Sequence, residues 1–137
     1  MLPPPVYHAE EAFPMLKEAH AVLPASDLKR AQDFYHNALG FDPDAEQDGN
    51  LIYRLEAGSS FEIYETSNAG TAQNTQMCFR TDTFDSDMAQ LRDRGVTFED
   101  YDFPGLKTEN GVATFGESKA AWFRDTEGNY ICLTEGM

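Results

Sequence analysis

The stretch HAVLPASDLKRAQDFYHNALG, residues 20–40, decides the fold. In its first six residues Ala21, Leu23 and Ala25 alternate with His20, Val22 and Pro24, the period of a strand with one buried face. Asp27 follows, a natural helix N-cap because its carboxylate takes a free backbone N–H. Leu28, Ala31, Phe34, Tyr35, Ala38 and Leu39 then recur at helical spacing as one apolar stripe. Gly40 supplies the left-handed position that closes the helix. Downstream, DGNLIYRLEAGSSFEIYE at residues 48–65 reads as further strands, which completes a βαβββ unit.

The order then repeats. QMCFRTD (76–82), TFDSDMAQLRDRG (83–95) and KAAWFRDTEGNYICLTE (119–135) again read strand, helix, strands. Asp82 with Thr83 opens the second helix, Phe84, Met88 and Leu91 form its apolar face, and Gly95 closes it. Its acids fall early and its arginines late, which suits the macrodipole. A helix with a single apolar face packs against a sheet rather than inside a bundle. The expected fold is therefore α+β, two tandem βαβββ modules whose open sheets form a half-barrel cleft. Module one spans 19–70 and module two 71–137, a single domain preceded by an arm at 1–18 with a short helix near 9–19. The patterning predicts strands near 19–25, 41–46, 50–56, 60–65, 75–81, 97–101, 119–124 and 129–135, and helices over 28–39 and 84–94.

Ten basic against 24 acidic residues give a net charge of −14. Phosphate binding needs a basic surface, so nucleic acid and anionic membranes are excluded as partners, and a cationic ligand is permitted. No run approaches the roughly 18 apolar residues of a membrane span. MLPPPVYHAEE at the start lacks the basic and apolar regions of a signal peptide. With two cysteines, the chain reads as cytoplasmic and reduced.

Alternation names the side chains on the sheet faces turned away from the helices. They are His20 on the first strand, Glu62 and Tyr64 on residues 60–65, Gln76, Cys78 and Arg80 on 75–81, and Tyr130 and Cys132 on 129–135. A cleft lined in this way is a small-molecule site by default. Each residue also has a plainer role open to it. His20 caps a strand, Glu62 pairs with Arg80, Gln76 hydrogen-bonds locally, Cys78 and Cys132 fill space, and Trp122 and Tyr130 pack.

Three segments together, HAVLPASDLKRAQDFYHNALGF (20–41), TQMCFRTDTFDSDMAQLRDRGV (75–96) and AAWFRDTEGNYICL (120–133), resemble the vicinal oxygen chelate superfamily of glyoxalases, bleomycin-resistance proteins and extradiol dioxygenases. GTAQNTQ (70–76) and YDFPGLKT (101–108) are similar to a bacterial glyoxalase-like subgroup. The resemblance implies a divalent metal in the cleft, held at His20, Glu62, Gln76 and Cys132. Histidine is commoner at the position of Gln76, and glutamate is expected at that of Cys132. A thiolate ligand favours zinc over harder ions. Glu62 is then the candidate catalytic proton shuttle, and Tyr64, Cys78, Arg80, Trp122 and Tyr130 are the candidate substrate-binding wall. Two functions follow from the resemblance. One is a lyase or transferase whose metal chelates neighbouring substrate oxygens; the other is a metal-free protein that sequesters an aromatic cationic drug. A third option is a small-ligand carrier without chemistry. The family also implies a homodimer, with the proline-rich arm lying across the partner.

The modules are unequal. Gly40 to Glu62 spans 22 steps and Gly95 to Cys132 spans 37, so about 15 extra residues sit in module two. Their composition places them in DFPGLKTENGVATFGESK, residues 102–119. The segment is expected either as a lid that lays Phe103, Leu106 and Phe115 over a ligand, or as an extended hairpin at a subunit interface.

Overall fold

A computed structural model describes residues 15–136. Module one runs β1 (Ala21–Ala25), α1 (Leu28–Asn37), β2 (Ala45–Gln47), β3 (Asn50–Arg54) and β4 (Ser60–Glu65). Module two runs β5 (Thr75–Arg80), α2 (Phe84–Asp93), a small hairpin β6 (Asp102–Phe103) and β7 (Leu106–Lys107), then β8 (Ala113–Phe115), β9 (Ser118–Arg124) and β10 (Tyr130–Glu135). Two open four-stranded sheets result, ordered β1-β4-β3-β2 and β5-β10-β9-β8. In each, the strand before the helix pairs in parallel with the last strand of its module. The chain thus has the α+β, two-module architecture of the repeat. Among the described residues no helix is long and apolar enough to cross a membrane.

The duplication extends to side chains. Val22 pairs with Glu62 in the first sheet and Cys78 with Cys132 in the second, at equivalent places. Glu65, at the end of β4, accepts the Leu28 N–H at 3.4 Å, and Glu135, at the end of β10, accepts that of Phe84 at 3.0 Å. Each helix start is therefore met by a carboxylate from its own last strand, where the helix dipole favours one. Asp27 caps α1 through Arg30 N–H, 3.0 Å. Thr83 takes the N-cap position of α2 without a side-chain capping bond; Glu135 does that work.

The helix-facing sides of both sheets merge into one core. Tyr53 stacks on Phe61 with ring centres 4.7 Å apart. Phe41 and Phe61 both meet Phe79, and Phe34 meets Phe123, so aromatic contacts cross from one module to the other. A polar clamp crosses beside them, from the DTEGN turn between β9 and β10. Glu127, with its side chain fully buried, accepts the backbone N–H groups of Ser26 and Asp27 at 3.0 Å each and the Arg30 guanidinium at 2.8 and 3.0 Å. Asp125 accepts the buried Tyr35 hydroxyl at 2.7 Å. The turn closes tightly: Gly128 has φ +85°, and a Cβ there would stand 2.9 Å from Gly70 Cα. Only glycine fits both constraints.

Two expectations are corrected. Residues 97–101 form no strand; Phe98 makes a single bridge to Phe123, and Glu99 N–H bonds Trp122 C=O. The rest of that edge of β9 is taken by β8, with Ala113 opposite Ala120. One edge is shared by two segments, and the insertion is the excursion between them. The strand expected at 41–46 is confined to Ala45–Gln47, after Pro43, which has no N–H for a ladder. The arm and its short helix fall largely outside the described residues; 15–20 carry no helix.

Candidate functional site

Glu62 lies on the outer face of the first sheet, at its centre. His20 Nε2 stands 2.9 Å from its Oε2, and Asn50 Nδ2 donates to its Oε1 at 2.9 Å. The geometry follows from register: Val22, Glu62 and Ile52 are cross-strand partners, and His20 and Asn50 sit two residues before Val22 and Ile52, on the same face. Glu62 is thus held between a histidine and an amide, not by Arg80. Around this trio Val22 and Tyr64 leave apolar surface exposed, 48% and 37%.

The equivalent places of the second sheet hold Gln76 and Cys132, and both are engaged differently. Gln76 Nε2 donates to Asn129 Oδ1 at 2.9 Å, and its Oε1 accepts Tyr130 N–H at 3.1 Å. Its amide is used up pinning the irregularity at the start of β10. Cys132 is buried, and burial, followed by the charge and hydrogen bond of neighbouring Cys78, pushes its thiol up to about 12. Both cysteines are free; Cys78 is exposed, with its sulfur 3.5 Å from Thr134 Oγ1.

Beside them stands an aromatic wall. Trp122, opposite Cys132, donates from Nε1 to Thr75 Oγ1 at 3.0 Å. Tyr101 meets its ring edge-on at 5.7 Å and meets Phe103 at 5.9 Å. Arg124 lies over Tyr130, 5.0 Å from the ring centre. Burial raises the Tyr101 phenol, with the charges of Glu99 and Tyr130 adding and Arg124 opposing. The outer-face positions of β5, β9 and β10 carry two arginines, Arg80 and Arg124, and no carboxylate; Glu99 approaches from the neighbouring loop. Arg80, Cys78 and Thr134 line a groove of about 1000 Å³ whose other wall is Leu55, Ala57 and Ser59 of module one.

The structure therefore joins His20 to Glu62 and Cys78 to Cys132, and keeps the two pairs apart: among the described residues no three His, Cys, Asp or Glu side chains converge. Within one chain, the expected four-ligand cluster of His20, Glu62, Gln76 and Cys132 is not brought together. Its donor set is also a poor fit for a metal ion, since the Gln76 amide already bonds Asn129 and Tyr130 N–H and Cys132 is buried beside Cys78. Trp122 and Tyr130 stand on the second wall, and Tyr64 on the first. Of the insertion's apolar residues, Phe103 joins the Tyr101 end of the aromatic wall, and Phe115 pairs with Ser118 at the sheet edge. Asn50 and Arg124 were within reach of the alternation rule, two positions from Ile52 and Trp122. Tyr101 and Asn129 were not, because loop residues have no period.

Solved structures share this architecture. TnmS3, an antibiotic binding protein from Streptomyces sp. CB03234, is 27% identical with a TM-score of 0.62, covering 89% of this chain and 98% of that one. A glyoxalase/bleomycin resistance protein from the same Streptomyces is 28% identical with a TM-score of 0.58, covering 84% and 98%. The oxidase ChaP-H2, at 18% identity, TM-score 0.67 and coverage of 90% and 96%, shares the fold. No curated protein matches the chain. The family model that describes the glyoxalase/bleomycin resistance protein/dioxygenase superfamily matches residues 17–133, and the chain belongs to that superfamily.

Proposed function

We propose that the protein is a metal-free binding protein for a planar aromatic small molecule, neutral or anionic. The observation that carries this reading is the state of module two's half of the site. Gln76 and Cys132 are committed to the fold, while Trp122, Tyr101 and Tyr130 offer ring surface with Arg124 beside it. Aromatic stacking plus a guanidinium suits an extended ring system that bears a phenolic or carboxylic oxygen. The antibiotic-binding TnmS3 supports binding as a function of this architecture. The cationic ligand permitted by net charge fits less well, because Arg80 and Arg124 supply the local charge.

The same reading calls for a homodimer. Because the helix-facing sides merge in one core, the outer face of the first sheet, with Val22 and Tyr64 exposed, needs a second copy to become one wall of an enclosed site.

Trp122 is the only tryptophan in the chain, so its emission reports directly on this wall. Titration with an anthraquinone carboxylate is expected to quench it saturably with or without EDTA, and a cationic analogue of the same ring system to bind at least tenfold more weakly. Quenching that needs added zinc would sink the reading and favour the metal-dependent enzyme. That second reading has one observation in its favour, the His20–Glu62 pair, which has the makings of a proton-transfer couple.

A further inference from the structure

Behind Phe79, on the helix side of the second sheet, lies a cavity that the candidate site does not use. Leu39, Phe41, Phe79, Leu91, Phe123 and Leu133 line about 270 Å³ between the end of α1, α2 and β5. The space opens to solvent at one side, and an apolar cavity of about 150 Å³ already takes up benzene. An apolar body entering here gains contacts that these side chains otherwise lack.

The polar side chains of the lining are Arg80, Thr81, Asp87, Gln90 and Arg94. Asp87 is occupied by the hydroxyls of Thr81 and Thr83. Arg94 gives one N–H to Ala38 C=O at 3.1 Å and a long contact to Gln90 at 3.5 Å, which leaves donors free. The Arg80 guanidinium makes no hydrogen bond or ion pair among the described residues. Two guanidinium groups with donors to spare therefore border the apolar lining. Phe41, Phe79, Arg80 and Thr81 also line the wider groove, so the two spaces meet at Arg80.

The geometry points to a second binding site, at the seam between α1 and α2, for a small amphiphile: a single ring or a chain of about eight carbons, with a carboxylate held by Arg80 and Arg94. It shares none of Trp122, Tyr101, Tyr130 and Arg124 with the aromatic wall; Arg80 alone adds charge beside both spaces.

Octanoate and octanol serve as probes, followed by calorimetry and by backbone amide shifts on the full chain. Octanoate is expected to bind saturably, with shifts centred on residues 38–41 and 90–94, and octanol at least tenfold more weakly. The double substitution Arg80→Gln and Arg94→Gln is expected to weaken octanoate about tenfold or more, the scale of a lost charge-assisted hydrogen bond, and to leave octanol unchanged. Gln90→Trp, an exposed helix position whose indole reaches into the cavity, is expected to abolish both while the melting curve stays cooperative. No saturable octanoate binding by the folded wild type would overturn the proposal. So would equal affinities for acid and alcohol, or shifts centred on 99–103, at the aromatic wall.

Discussion

At the scale of the residue, the contrast between the two cysteines has chemical content. Cys132 has its thiol pushed up to about 12, first by burial and then by Cys78, whereas Cys78 is exposed. The thiolate is the reactive form, so at about pH 8 Cys132 is almost wholly inert. A disulfide reagent such as DTNB is expected to titrate one thiol per folded chain rapidly and the second only on unfolding. Cys78→Ser removes the fast phase and Cys132→Ser leaves it; two fast phases would contradict the assignment. Strand period was enough to put His20 and Glu62 on one face, where they stand 2.9 Å apart. It could not show that Gln76 would be turned to Asn129, because that partner sits in a turn and its position depends on chain closure between β9 and β10.

At the scale of the element, the DTEGN turn is where module two grips module one. Desolvation alone would raise the Glu127 carboxyl, but hydrogen bonds from Arg30, Asp27 N–H and Thr126, with the Arg30 charge, outweigh it and bring it from 4.5 down to about 2. A carboxyl depressed in the folded state contributes stability that is present above its unfolded value and is lost as pH falls toward the folded one. The full contribution is about 3 kcal/mol. Asp125 acts with the opposite sign: burial raises it, so its cost disappears on acidification. In urea unfolding, the stability gap between wild type and Glu127→Gln is expected to narrow by about half or more between about pH 6 and pH 3. A gap independent of pH would count against the clamp. Sequence patterning located both helices and most strands, because each carries a one-sided apolar stripe. It misplaced the strand at 97–101, since Val96 and Phe98 are buried as a strand's would be, yet β8 had already claimed most of the edge they needed. The surplus of module two was correctly counted. Its course could not be read, because polar turn residues say where the chain bends and not what it bends toward.

At the scale of the whole molecule, two expectations test the reading of the site. A metal present at about 100 times its dissociation constant stabilises a fold by about 2.7 kcal/mol. Zinc is expected to leave the melting temperature of this protein unmoved, and a clear rise that vanishes in His20→Ala would restore the metal centre. Light scattering at tens of micromolar is expected to give a dimer, with Val22→Glu, a charge on the exposed face of β1, shifting the mass toward one chain. A monomeric wild type would contradict the assembly. The clamp has a further consequence, for the order in which the chain is made. Ser26 and Glu127 are 101 residues apart in sequence, and Tyr35 and Asp125 are 90 apart. During synthesis the first helix emerges long before the carboxylates that complete its surroundings. Until the last hairpin arrives, Arg30 and two backbone amides wait on water, and Tyr35 lacks its partner. Contacts this remote in sequence slow folding, so module one alone is expected to stay loosely packed on the ribosome, and the β9–β10 hairpin acts as the fastening that turns a half-formed chain into a native one.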